Sequence, residues 1–294
     1  MDILLIVLLA VMGALLGSFA VAQVWRLRAH QLVQDEREGE PVDEHELRRL
    51  KQLIRPARSD RSQCLSCHHQ LAWYDLIPVV SWLTLGGKCR YCKAPIGATE
   101  IVAEVGLAVV FVLSYLAWPY ELASFTTILP FVLWLMACVV ATILFVYDAK
   151  WSLLPFSLNI VFIILGVCYI VSLATVGGLP IDFVSLAGAV VLLGGLYLLF
   201  SLLGWVGMGD GILGIGLALF LGSWPLAFLT LFLANLLGCL MLIPLYFQKK
   251  LHRKVRIPFG PFLLVAWFIS VLWGNWVIVH LFSTTTTALN TLML

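Results

Sequence analysis

Two aspartates in this sequence stand where carboxylates are expensive. Asp148 closes an apolar run in Leu144-Phe145-Val146-Tyr147-Asp148, and Asp210 opens another in Gly207-Met208-Gly209-Asp210. An ionisable side chain in a membrane span costs about 3 kcal/mol and marks a functional candidate. Like charges held close together cannot both ionise easily, so a pair of such carboxyls shares one proton. The ionised member takes a proton from water, and the protonated member donates to the carbonyl oxygen under attack. That chemistry is amide hydrolysis without a metal or a covalent intermediate. Gly207 and Gly209 leave room for a substrate backbone or a neighbouring helix beside Asp210. A helix beginning there also favours an anion at its N-terminus. Position alone leaves a second reading open, in which each aspartate caps a helix or pairs with a base such as Lys150.

Four of the seven cysteines form a second cluster, Cys64-x-x-Cys67 and Cys89-x-x-Cys92, with 21 residues between the pairs. Two such knuckles can set four thiolates tetrahedrally around one zinc ion. A closed four-cysteine site has no open coordination position, so it is expected to hold a fold rather than do chemistry. His68 and His69 follow the first knuckle and read as surface histidines. Cys138, Cys168 and Cys239 sit singly in apolar runs, as small packing residues do.

The elements that carry these groups are membrane spans. The chain is 62% hydrophobic and 12% charged, about half the charge of a soluble domain. Apolar runs long enough to span a bilayer recur from residue 101 to 282. The first run, Leu4 to Val24, is too long for a secretory signal and has no basic segment before it. Arg26 and Arg28 follow it, so it reads as a retained span. All 18 Lys and Arg fall in three places: 12 between Arg26 and Lys93, Lys150 alone, and five between Lys249 and Arg256. Placing all three on the cytoplasmic side fits eight spans, near 3–25, 101–118, 124–147, 156–175, 183–204, 211–222, 225–247 and 259–282. The expected fold is an all-α polytopic membrane protein with both termini outside the cytoplasm. A small cytoplasmic zinc domain lies between its first and second spans. The weakest boundary is the break at Gly222 to Pro225. Both aspartates then fall on the cytoplasmic side, although only Lys and Arg set the orientation.

The domain plan is a first span over 1–26, a cytoplasmic domain over 27–99, a membrane bundle over 100–283 and a tail over 284–294. Glu44-x-x-Leu47-x-x-Leu50-x-x-Leu53 suits a short amphipathic helix on the domain or the membrane surface. Glu100 and Glu104 lie near the cytoplasmic face at helical spacing, where they can bond the zinc domain or line a cleft. The formal charge of +2 points to no partner, and no nucleic acid is expected. A transporter with two coupling carboxylates is disfavoured by the cysteine module and by the absence of evident paired halves.

These motifs resemble the prepilin peptidases, the type IV leader peptidases of the Gly-x-Gly-Asp aspartic class. Gly17-Ser18-Phe19 with Arg26 resembles the first-span signature. Arg61 to Cys67, then Trp73-Tyr74-Asp75-Leu76-Ile77-Pro78, Ser81-Trp82-Leu83 and Cys89-Arg90-Tyr91-Cys92, resemble the family's cytoplasmic domain. Asp148 with Leu154-Pro155 resembles the first catalytic motif. Gly207-x-Gly209-Asp210 with Leu221-Gly222-Ser223-Trp224 resembles the second. The resemblance implies cleavage of basic leaders from prepilins and type II secretion pseudopilins by Asp148 and Asp210. It also implies a multi-pass location in the bacterial cytoplasmic membrane, among its lipids. Many members then methylate the new N-terminal amine with S-adenosylmethionine; no methyltransferase residues can be assigned here. The family's Leu-Pro-Asp is Leu154-Pro155-Phe156 in this chain, and its lysine two places after the second aspartate is Ile212. These departures leave two alternatives beside the full activity, a peptidase that does not methylate and an inactive pilus-assembly scaffold.

Overall fold

The computed structural model describes residues 3–54, 61–120, 122, 125–175, 178, 180–204, 206–247 and 258–292. Among them every regular element is a helix, apart from two isolated β-bridges, Gln63 with Gln70 and Lys88 with Pro95. The chain divides into two compact units, Met1–Tyr115 and Leu116–Leu294. Among the described residues seven helices are long and apolar enough to cross a membrane, and an eighth apolar helix has 14 residues. The basic loop Lys249 to Arg256 lies outside the described residues.

In the first unit, α1 (Ile3–Glu38) runs 36 residues, about 54 Å at helical rise. That exceeds a hydrocarbon core of about 30 Å, and the apolar part ends at Trp25. The remainder, from Arg26 on, carries α2 (Glu44–Leu50). Asp43 caps α2 by accepting the N–H groups of His45 and Glu46. Leu47 and Leu50 bury against Ala29 and Leu32 of α1, each worth about 2 kcal/mol, and Arg28 pairs with Glu46 at 2.7 Å. The amphipathic segment read from the sequence therefore lies on the extension of α1. The cysteine module, with its short helix α3 (Val80–Thr84), precedes α4 (Ala98–Leu116). Gly17 lets α4 approach α1 closely, since a methyl group there would stand 2.7 Å from the Ala103 carbonyl oxygen.

The second unit holds α5 (Phe125–Trp151), α6 (Phe156–Thr175), α7 (Phe183–Val190), α8 (Leu196–Leu202), α9 (Met208–Leu221), α10 (Trp224–Phe247) and α11 (Gly260–Leu292). Trp134 of α5, Phe162 of α6, Phe220 of α9 and Trp267 of α11 form one aromatic core. Its ring centroids lie 4.6 Å apart for Trp134–Trp267, 5.2 Å for Phe162–Phe220 and 5.4 Å for Phe220–Trp267. These four helices also carry the groups of the candidate site. The doubtful break is real: α9 stops at Leu221, Gly222 takes a left-handed turn at φ +65°, and α10 begins at Trp224. The last helix runs on to Leu292, beyond the end near 282 expected from hydropathy.

One feature of the fifth span departs from a plain helix. Between α7 and α8, residues Val191–Gly195 form a π turn. Helix α9 packs against it so closely that a Cβ on Gly214 would lie 2.5 Å from the Leu193 carbonyl oxygen. A π turn re-aims one turn of backbone, and here it faces the helix that bears Asp210.

Candidate active site

Asp148 sits in the last full turn of α5, and its own carbonyl accepts the Ser152 N–H that ends the helix. Ser152 turns left-handed, at φ +51°. Asp148 is buried, 4% exposed, and a buried carboxyl needs a donor. The donor is the Gly260 N–H, 2.9 Å from Asp148 Oδ2. Gly260 opens α11, where N–H groups have no partner within the helix. Pro261 contributes no N–H, while those of Phe262 and Leu263 turn back to the Phe259 carbonyl. The contact leaves no room for a side chain, since a Cβ on Gly260 would stand 2.7 Å from Asp148 Oδ2.

Asp210 is the third residue of α9, whose N-cap is Gly207. The Asp210 N–H donates to the Gly207 carbonyl at 3.1 Å. The two glycines do different work. A Cβ on Gly209 would lie 2.8 Å from Leu154 Cβ, so the α5–α6 connection fills that space; among the described residues a Cβ on Gly207 would meet only Asp210 Oδ2, at 3.6 Å. Gly207 is the open side. The fully buried Asn159 of α6 donates from Nδ2 to the Gly209 carbonyl at 3.4 Å.

Asp148 and Asp210, from different helices, stand close enough for their charges to act on one another. Tyr197 of α8 lies within the same electrostatic reach of Asp210. The Tyr197 ring packs on Phe259, with centroids 5.6 Å apart. Successive residues thus meet different parts of the site, Phe259 against Tyr197 and Gly260 against Asp148. The arrangement offers two carboxyl groups within electrostatic reach of one another, that of Asp148 held by a backbone donor and that of Asp210 beside Gly207.

The four cysteine sulfurs lie within 4.8 Å of one another, and Cys64 and Cys92 are 3.8 Å apart. Four ligands at about 2.3 Å from a tetrahedral centre stand about 3.8 Å apart, so the set fits a metal ion. The knuckles repeat each other. Cys64 N–H donates to His69 and Cys89 N–H to Ala94, while His68 and Lys93 both turn left-handed, at φ +56° and +61°. Burial opposes a Cys89 thiolate, but the N–H groups of Cys92 and Tyr91 and the Cys64 and Cys92 thiols outweigh it and bring the group down to about 7. His69 stacks on Tyr91 at 3.7 Å, outside the ligand set. Asp75 tightens the module by accepting the Arg90 Nε at 2.8 Å.

Residues 11–118 match the Bacterial Peptidase A24 N-terminal domain, and residues 134–243 match the Type IV leader peptidase family. The chain is 34% identical over 281 residues to a prepilin leader peptidase/N-methyltransferase of Pseudomonas putida, covering 92% of this chain and 91% of that one. This chain belongs to the type IV leader peptidase family. A second family relative of the same description, from Aeromonas hydrophila, is 33% identical over 225 residues, 73% of this chain and 72% of its own. A third, from Pseudomonas aeruginosa, is 30% identical over 275 residues, 90% and 89% of the two chains. No solved structure matches. This leader peptidase is an integral membrane protein with an all-helical membrane part and a four-cysteine module between its first two spans.

Sequence reasoning singled out both aspartates, both glycines and all four cysteines, but missed Gly260, Tyr197 and Asn159. The signal for Gly260 was present as Pro258-Phe259-Gly260-Pro261, a turn and helix start directly after a basic loop. Glu100 and Glu104 both serve the first unit. Glu100 accepts Trp25 Nε1 at 3.3 Å, and Glu104 accepts the Val79 N–H at 2.7 Å.

Proposed function

We propose that Asp148 and Asp210 form the catalytic dyad of a prepilin leader peptidase. The observation that supports this reading is two carboxylates from separate helices within electrostatic reach of one another, one of them beside Gly207. In the reaction, one carboxylate removes a proton from water as its oxygen attacks the scissile carbonyl. The other carboxyl donates to that carbonyl oxygen, and the C–N bond breaks as the amine takes a proton. The substrate is a prepilin or pseudopilin. Its apolar helix stays in lipid and its basic leader in water, so no charge is buried. The cut amide must first leave its helix hydrogen bonds, and Gly207 is where the opened backbone fits. A glycine before the cut weakens the substrate helix by about 1 kcal/mol relative to alanine. A prepilin series with Gly, Ala, Val and Leu at that position tests this. Cleavage should fall steeply with side-chain size, and equal rates for Gly and Leu would contradict it.

The N-methylation in the relatives' names is proposed here as well, with S-adenosylmethionine as donor. Labelled donor should appear in the cut pilin; a peptidase that does not methylate gives cut, unlabelled product. We place the chain in the bacterial cytoplasmic membrane, both termini outside. Its working parts are the span 1–26, the cytoplasmic domain 27–99, the bundle 100–283 and the tail 284–294.

Zinc is the proposed occupant of Cys64, Cys67, Cys89 and Cys92, as a brace for the module. Metal analysis should return one zinc per chain, lost when any two of the four become Ser. Proteolysis should then open the 61–99 region, because the closed site contributes folding free energy. Fully active protein without zinc would contradict this assignment.

A further inference from the structure

The cysteine module carries a surface that neither the metal site nor the dyad uses. Trp73, Leu76, Ile77, Val80 and Leu83 are 77%, 39%, 39%, 54% and 61% exposed, all within one short stretch. Between Leu71 and Gly87 the only Asp, Glu, Lys or Arg is Asp75. Its side chain is 3% exposed and bonded to Arg90. The Thr84 hydroxyl is also satisfied internally, donating to the Val80 carbonyl at 2.9 Å. The exposed bases Arg61, Lys88 and Lys93 all lie outside the stretch. Charge and apolar surface are thus segregated within one small module.

Its depth can be read from contacts inside the same unit. The apolar part of α1 ends at Trp25, with Arg26 and Arg28 next, and Trp25 Nε1 donates to Glu100 of α4. That level marks the edge of the apolar zone. Glu104 lies one turn further into the span, about 6 Å along the axis. Glu104 is buried and accepts the Val79 N–H at 2.7 Å. Val79 is β-branched yet held at φ +62°, a conformation that persists only when its surroundings impose it. The stretch is therefore anchored on the apolar side of the charged boundary, where Trp rings concentrate in membrane proteins.

We propose that residues 73–83 form an interfacial lipid anchor. Trp73, Leu76, Ile77, Val80 and Leu83 enter the headgroup–acyl boundary of the leaflet at the Arg26 end of α1. The partner is the bilayer itself, and the proposal stands whether or not the dyad is catalytic. The test uses the full chain, labelled with 5-fluorotryptophan, in phosphatidylcholine nanodiscs without prepilin. The Trp73 fluorine resonance is assigned by its loss in Trp73→Phe. Lipid nitroxide at the fifth acyl carbon should remove at least half of its intensity, and a water-soluble gadolinium chelate should remove less. A larger effect from the chelate would overturn the proposal, because the surface then faces water. Protection from both would overturn it too, because protein rather than lipid then covers the patch.

Discussion

Asp148→Asn is expected to leave the protein inserted and folded while lowering prepilin cleavage by at least about 10³-fold. The amide oxygen of Asn can still accept the Gly260 N–H that now bonds Asp148 Oδ2 at 2.9 Å. What disappears is the capacity to take or give a proton. Asp148→Leu also removes the acceptor and strands a buried N–H, which costs about 1–3 kcal/mol of stability. The two variants therefore separate chemistry from helix capping. Initial cleavage rates with thermal unfolding of solubilised protein should show both inactive and only the Leu variant destabilised. Asp210→Asn should behave as Asp148→Asn does. An Asp148→Asn enzyme with a near-normal rate, beside an impaired Leu variant, would make Asp148 a cap and nothing more.

Gly260→Ala is expected to lower kcat by about 10²-fold, the effect of displacing a reacting group by about 1 Å. A Cβ at 2.7 Å from Asp148 Oδ2 must push the carboxylate aside, because Asp148 is buried and bonded to the same residue's N–H. Alanine is a good helix former at the start of α11, so accumulation in the membrane should be unchanged. Gly238→Ala is the control. Its Cβ would meet Phe259 at an ordinary 3.7 Å, and its rate should stay near normal. Equal rates for Gly260→Ala and wild type would show that the contact does not position the carboxylate.

The parts legible in the sequence follow short-range rules. Apolar runs and the placement of Lys and Arg gave the helical spans, including the break at Gly222 that divides α9 from α10. Cysteine spacing gave the module, and two acidic residues in apolar surroundings gave the dyad candidates. What escaped depends on packing between distant segments. Gly260 meets Asp148 only because α11 docks beside α5. Nothing near Tyr197 in sequence announces Asp210. The π turn at Val191–Gly195 is matched to Gly214 on another helix, so hydropathy reads one smooth span there. Gly209 looked available to substrate, and the structure fills its space with Leu154.

The most direct test is mass spectrometry of the product N-terminus after incubation of the purified protein with a prepilin. The wild-type chain should release the basic leader in a single cut ahead of the apolar segment. A mass increase of one methyl group on the new amine should appear when S-adenosylmethionine is supplied. The Asp148→Asn, Asp210→Asn double variant should return intact prepilin. The same cut product from the double variant would contradict the dyad and place the catalytic chemistry elsewhere in the chain.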